Sequence, residues 1–404
     1  MSAEAHEVII IGGGPAGSCA ANLLAQAGAD VLVIERAHFP RFHIGESLLP
    51  TELGILERLG VDPDAVPFLR KEGAVFIDEA SGRESRFAFA EGLPGTPDHA
   101  HQVERAVFDE LLLRAAEREG AKAREGLEVV AVDLSDPDQV RVEARELDSD
   151  RSLSFTARYL VDASGQKALL ARRAKSVSPY KNFGRAAVFR HYEQLAPEIV
   201  EELHARGDIL VKLIDDGWMW IIPLVSGALS IGLVKATGKV SAELLDEIVA
   251  ESPMLQRLLA GAEAGEARLI GNFSYRNTEP YGRRYACVGD AACFLDPVFS
   301  SGVALAFAGA ERLADLLAPA LAEGREADPE LMAPLGEHMN RAYDAFSRFI
   351  ERFYHTRMID NVLLAPRSGD QIYRSGVISL LAADVWRDDN PFQNMLMRAR
   401  RRYL

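Results

Sequence analysis

A chain of 404 residues is too long for one small core, so two or three lobes are expected. Hydrophobic residues make up 48% and charged residues 26%, ordinary values for a soluble globular protein, and no apolar run is long enough for a membrane span. A net charge of −15 excludes a general nucleic-acid binder, and three unpatterned cysteines (Cys19, Cys287, Cys293) give neither a disulfide frame nor a structural zinc site.

The cysteine usage fits a reducing compartment, and no basic segment precedes the first apolar run, so a signal peptide is not expected and the cytoplasm is. Val8-Ile9-Ile10-Ile11 reads as a strand buried on both faces. Gly12-Gly13-Gly14-Pro15-Ala16-Gly17 follows at once and fits GxGxxG. Gly12 permits the tight turn, Gly14 lets backbone approach a pyrophosphate, and Gly17 lets helix and strand pack closely. Residues 18–27 form the helix whose N-terminus faces the phosphates. Val31-Leu32-Val33-Ile34 is the next strand, ending on Glu35, placed to grip a ribose hydroxyl, with Arg36 beyond it.

Residues 37–44 are irregular. In Gly45-Glu46-Ser47-Leu48-Leu49-Pro50, Ser47 is placed to cap a helix through Leu53, Ile55 and Leu56. Residues 69–76 lead into a strand that pairs with 87–89 as a hairpin outside the nucleotide unit. Gln102 opens an amphipathic helix carrying Arg105, and 129–134 with 140–147 form an antiparallel pair. Residues 155–161 return to the nucleotide sheet at Asp162-Ala163-Ser164-Gly165. Runs at 186–191, 209–214, 218–223 and 228–234 suggest a mostly antiparallel second sheet, and helical segments lie near 244–249 and 254–259. Tyr285-Ala286-Cys287-Val288 is a buried strand ending at Gly289-Asp290, and a small-residue helix runs from Gly302 to 317. The chain is helical beyond Leu331. The basic end, Arg398-Ala399-Arg400-Arg401-Arg402, reads as a solvated helix end. No histidine spacing suggests a metal site.

Only one strand–GxGxxG–helix unit is visible, so a bound FAD would depend on reducing equivalents from elsewhere. The glycine loop with Glu35, Asp162 to Gly165 and Gly289-Asp290 resembles the FAD-binding framework of the para-hydroxybenzoate hydroxylase-like flavoproteins. Trp218-Met219-Trp220-Ile221-Ile222-Pro223 matches WxWxIP, the signature of the flavin-dependent halogenases, and residues 45–50 and 295–302 resemble that family too. The resemblance covers residues 5 to 360. It implies an α/β fold with a discontinuous FAD-binding Rossmann-like domain (1–60, 100–170, 270–330). An inserted antiparallel substrate domain (61–99, 171–269) and a short helical C-terminal region (331–404) complete it.

The resemblance also implies chemistry. Reduced FAD and O2 turn chloride or bromide into hypohalous acid, which travels an interior tunnel to a lysine, and an aromatic carbon takes the halogen there. Lys71, in the pattern K-x-G-A, is the candidate lysine. The amides of Ser301 and Gly302 would hold the halide, and Trp218, Trp220, Pro223 and Phe299 would wall the tunnel. Gly12, Gly14, Pro15, Ala16, Gly17, Glu35, Arg36, Glu46, Ser47, Arg105, Asp290 and Pro297 would bind FAD. Tryptophan halogenases carry a glutamate where this chain has Phe299, which suggests an already activated ring, a phenol or pyrrole of the phenol/pyrrole branch. A separate flavin reductase would supply FADH2, and the short C-terminal region suggests an open mouth for a bulky or carrier-tethered substrate. The alternatives are an FAD monooxygenase or prenyl-type reductase on the same fold, and a flavoprotein without activity.

Overall fold

The computed structural model describes residues 4–180, 183, 186–271, 273–365 and 371–398. Strand Glu4–Ile11 lies inside an eight-stranded sheet, between Ser152–Asp162 and Val31–Ile34, both parallel to it. Tyr285–Cys287 and Lys122–Arg124 extend the parallel order on either side. Val8 and Ile10 point into one core cluster and Ile9 and Ile11 into another, the alternation expected of a strand covered on both faces. Helix Pro15–Gln26 follows the glycine loop and packs on helices Arg105–Arg118 and Gly302–Glu323. Leu127–Asp133 and Val140–Glu146 pair antiparallel, with a bulge at Val129/Ala131, and join the sheet through Ser152–Asp162.

A second eight-stranded sheet runs in the order Glu263–Ala264, Ala186–Glu193, Leu229–Lys235, Gly217–Pro223, Ile209–Ile214, Gly73–Asp78, Arg83–Ala88, with Arg268–Gly271 also on Ala186–Glu193. Its pairs are antiparallel except Ile209–Ile214 with Gly73–Asp78. Period 2 decides which side chains face where. Trp218, Trp220 and Ile222 face the nucleotide sheet, while Met219 and Ile221 face a core that includes Leu245, Leu255 and Leu258 of helices Ala242–Glu251 and Pro253–Leu258. Beyond 331, helices Ala333–His355, Gln371–Leu381 and Pro391–Arg398 pack by an aromatic seam including Phe346, Phe349 and Phe392.

Three expectations need correction. Gln102 does not open a helix: Ala100–Gln102 is a strand, and the helix begins at Arg105. Polar residues at 101 and 102 hid the strand, but His101 and Gln102 are fully buried. The run from 69 is two strands broken at Glu72, where Leu69–Lys71 pairs with Ala100–Gln102 and Gly73–Asp78 enters the large sheet. Ser47 caps nothing, since the helix is Glu52–Arg58 behind Thr51. The basic segment 399–404 lies outside the described residues. All three cysteines are free and buried, and no helix among the described residues is long and apolar enough to cross a membrane.

Candidate functional site

A cavity of about 640 Å³ opens where the glycine loop, the second sheet and the start of helix Gly302–Glu323 converge. The turn at Gly12 has φ +103°, and a Cβ there would lie 2.4 Å from the carbonyl oxygen of Ala163. Only glycine fits. Gly17 stands off the cavity and serves packing, because a Cβ would meet the Gly12 oxygen at 1.9 Å. Helix Pro15–Gln26 starts with proline, with no side-chain cap at Gly14, so its first N–H groups are left for a ligand. Ile11, Gly14, Pro15 and Ala16 line the cavity, as does Arg36.

The acids and bases around it are mostly buried. Glu35 lines the cavity and accepts hydrogen bonds from the Gly13 and Ala37 amides, each at 2.8 Å. Arg105 donates to both Asp109 oxygens (2.7 and 3.0 Å) and to the carbonyls of Ile44 and Gly45 (2.9 and 3.1 Å). It thereby ties the loop before Glu46 to its helix. Asp290 also lines the cavity, and burial pushes its carboxyl up to about 7 against the opposing pull of Arg105. Glu46 accepts from or shares a proton with His191 at 2.6 Å through one oxygen. Its other oxygen is buried with no hydrogen-bond partner among the described residues. Burial alone would lower the His191 pKa, but Glu46 raises it above the ordinary value. A large cavity with a glycine cradle, uncapped helix amides and an unsatisfied buried carboxylate fits a dinucleotide.

Lys71 is 1% exposed, a burial that lysine almost never reaches unless paired. Its Nζ donates to Ser47 Oγ and to the Leu48 carbonyl, both at 2.8 Å, and lies 5.2 Å from the centre of the Phe89 ring. Burial lowers its pKa to about 7, against Glu52 and Asp208, which pull the other way. Glu52 holds the same loop: it accepts from the Leu49 amide at 3.1 Å, its other oxygen has no partner among the described residues, and burial raises its pKa to about 8. Lys71 does not itself line the cavity. Ser47 does, so the lysine stands one side chain behind the wall. The lysine side chain is enclosed rather than open to solvent.

Trp218, Trp220, Pro297, Ser301 and Gly302 line the cavity; Pro223 and Phe299 do not. Phe299 stacks on Phe349 at 4.1 Å and meets Phe353 edge-on, inside the seam with the C-terminal helices. Pro223 is the last residue of its strand, opposite Leu229. Trp220 lies across its neighbour strand because the residue opposite is Gly232, where a Cβ would come 2.1 Å from the indole. Ser300 sits at φ +55° and Ser301 makes no side-chain cap. Among the described residues the amides of Ser301 and Gly302 have no hydrogen-bond partner, and a Cβ at Gly302 would meet open space.

Two features escaped sequence reading. Arg41 lines the cavity, pairs with Asp109 at 3.1 Å, and its Nη2 would lie 3.4 Å from a Cβ on Gly14. Arg105 was singled out in the sequence, but neither its partner Asp109 nor a second arginine arriving from an irregular loop was. Trp218 Nε1 donates to the Tyr354 hydroxyl (2.9 Å), which donates to Asp296 Oδ2 (3.0 Å), linking the tryptophan wall, the helix Ala333–His355 and the loop before Ser300. The fold also gathers Asp64, His99 and His101, although no histidine spacing announced a metal-ligating group.

The family model for tryptophan halogenase matches residues 7–96 and 85–363. A tryptophan 2-halogenase of Chondromyces crocatus is 33% identical over 351 residues, 83% of this chain and 65% of that protein. A 1H-pyrrole-2-carbonyl-(peptidyl-carrier protein) chlorinase of Pseudomonas fluorescens is 28% identical over 96% of this chain and 91% of its own length. The crystal structure of a flavoprotein/dehydrogenase from Cytophaga hutchinsonii superposes with a TM-score of 0.88 at 26% identity, covering 98% of this chain and 96% of that one.

Proposed function

We propose, from the membership of this chain in the tryptophan halogenase family, that it halogenates an electron-rich aromatic, a phenol or pyrrole, free or tethered to a carrier protein. The observation that carries the reading is Lys71: an amine held out of water, touching a residue of the cofactor-sized cavity. Reduced FAD with O2 supplies the oxidising equivalents that convert chloride or bromide to hypohalous acid. Gly12, Gly14, Pro15, Ala16, Glu35, Arg36, Glu46, Arg105, Asp290 and Pro297 are the residues that would hold FAD, with Ser47 between it and Lys71. The dinucleotide-binding part would be built from 1–60, 100–170 and 270–330, and the substrate part from 61–99 and 171–269.

The unpartnered amides of Ser301 and Gly302 at a helix start suit a halide. Trp218 and Trp220 supply apolar walls that keep water from consuming the oxidant. At a pKa of about 7, Lys71 is present near neutrality both as amine and as ammonium. The amine form has a lone pair to take the halogen, and the ammonium form donates a hydrogen bond to hypohalous acid. With an aromatic ring at Phe299 turned into the core, no carboxylate from that position assists the ring's cationic intermediate, so the substrate must stabilise it itself. The pyrrole-directed relative supports that class. A separate reductase would supply FADH2.

The test is incubation with FADH2, O2, bromide or chloride and a panel of phenols and pyrroles. Halogenated product is expected from the parent chain. Lys71→Ala is expected to oxidise FADH2 at the parental rate without forming it, and halogenation by that variant would remove Lys71 from the mechanism. A second reading, an FAD-dependent reductase or hydroxylase, draws on the flavoprotein/dehydrogenase likeness. Halide-independent reduction or hydroxylation of the same panel would establish it instead.

A further inference from the structure

We infer that Asp64, His99 and His101 form a site for a divalent transition-metal ion on the outer side of the ribbon that carries Lys71. The donors come from two elements. Asp64 belongs to the one-turn helix Pro63–Ala65, while His99 and His101 flank Ala100 at the strand Ala100–Gln102. Their ligand atoms all lie within 4.8 Å of one another, and the two imidazole centres are 5.5 Å apart.

The hydrogen bonds around them favour ligation. His99 Nδ1 meets Asp98 Oδ1 at 2.7 Å, which fixes that nitrogen as the protonated one and leaves Nε2 with its lone pair outward. His101 Nε2 meets Asp64 Oδ1 at 3.0 Å, and its Nδ1 is buried without a partner among the described residues. With its proton on Nδ1, this ring turns the Nε2 lone pair toward the Asp64 carboxylate, the side from which a cation would be held. His101 is 1% exposed, so its ring is held in place by the surrounding core.

Charge in the neighbourhood is mixed but net negative. Asp64 and Asp98 meet the cation Arg70 among the described residues, which lies 3.6 Å from Asp98. Two imidazoles and one carboxylate select Zn²⁺, Co²⁺, Ni²⁺ or Cu²⁺ over Mg²⁺ or Ca²⁺, which prefer all-oxygen sets, and three protein ligands leave room for water. His101 lies opposite Arg70 in the ribbon, and Ala100 opposite Lys71. A bound ion would therefore fasten the Pro63–Ala65 turn to the strand that supports the lysine.

The experiment uses the untagged full-length chain after chelator treatment, titrated with Zn²⁺ alone by calorimetry and with Co²⁺ alone by visible absorption. One equivalent of each is expected to bind with a dissociation constant in the micromolar range, with a tetrahedral or five-coordinate Co²⁺ spectrum and a higher thermal unfolding midpoint in Zn²⁺. His99→Ala and Asp64→Asn change residues at least partly open to solvent, and each is expected to weaken binding by about tenfold or more. Saturable binding that is absent below about 1 mM, or is unchanged in both variants whose circular dichroism matches the parent, overturns the assignment. Neither readout depends on halogenation, so failure of the proposed activity leaves this test intact.

Discussion

Lys71 and Glu52 are two buried groups whose titration is displaced in opposite senses. Burial holds the Lys71 pKa at about 7, below its ordinary 10.5. The unfolded chain thus binds the proton more strongly, and stability contributed at this position rises as pH rises from about 7 toward 10.5. Lys71→Met removes a buried charge of similar volume but leaves the Leu48 carbonyl and Ser47 hydroxyl without their donor. The variant is expected to be the more stable by about 2 kcal/mol near pH 6 and the less stable near pH 10, measured by denaturant unfolding across pH.

Glu52 behaves inversely. Its carboxyl holds its proton up to about 8 in the folded state against an ordinary 4.5, so its contribution to stability falls as pH rises from about 4.5 to 8. Glu52→Gln keeps the shape and the acceptor for the Leu49 amide and cannot ionise. The advantage of the variant over the parent is expected to be near zero at about pH 4 and to grow to a plateau above about pH 8, in the same unfolding series. A flat difference would mean that Glu52 ionises freely in the fold.

At the scale of elements, the sheet strand Gly217–Pro223 sets the cavity wall, and its register is what makes Gly232 indispensable. Gly232→Ala puts a methyl into the Trp220 indole and is expected to cost about 2–4 kcal/mol and to displace the ring, read as a lower unfolding midpoint with a shifted tryptophan emission. Much at this scale was legible. The glycine loop, its flanking strands, the existence of a hairpin (expected from 69–76 and 87–89, found as 73–78 with 83–88) and the alternation of Trp218 and Trp220 all rest on local chemistry and period. What was not legible depended on distant partners. Strand Ala100–Gln102 is specified by Leu69–Lys71, and Ser47 is recruited by a lysine 24 residues away rather than by the next helix. Phe299 is drawn away from the cavity into the core by Phe349 and Phe353, which no pattern near position 299 announces.

For the whole molecule, one nucleotide sheet with a parallel centre is present among the described residues, and the chain returns to it twice after excursions into the second sheet. A single such unit supports one dinucleotide. Incubated with FAD, O2, halide and NADH alone, the chain is expected to turn over at background. Adding a separate NADH-dependent flavin reductase, or chemically reduced FAD, is expected to start the reaction, followed as halogenated product. Turnover with NADH alone would mean that the chain recruits its own hydride donor.

The hydroxyl of Tyr354 has an outsized consequence for anyone recombining such enzymes. It belongs to the penultimate residue of helix Ala333–His355, yet it latches Trp218 to Asp296. A chimera spliced upstream of it would inherit a slack reaction chamber, however intact its glycine loop. A crossover has to fall outside that helix and keep the seam that Phe392 makes with Phe349.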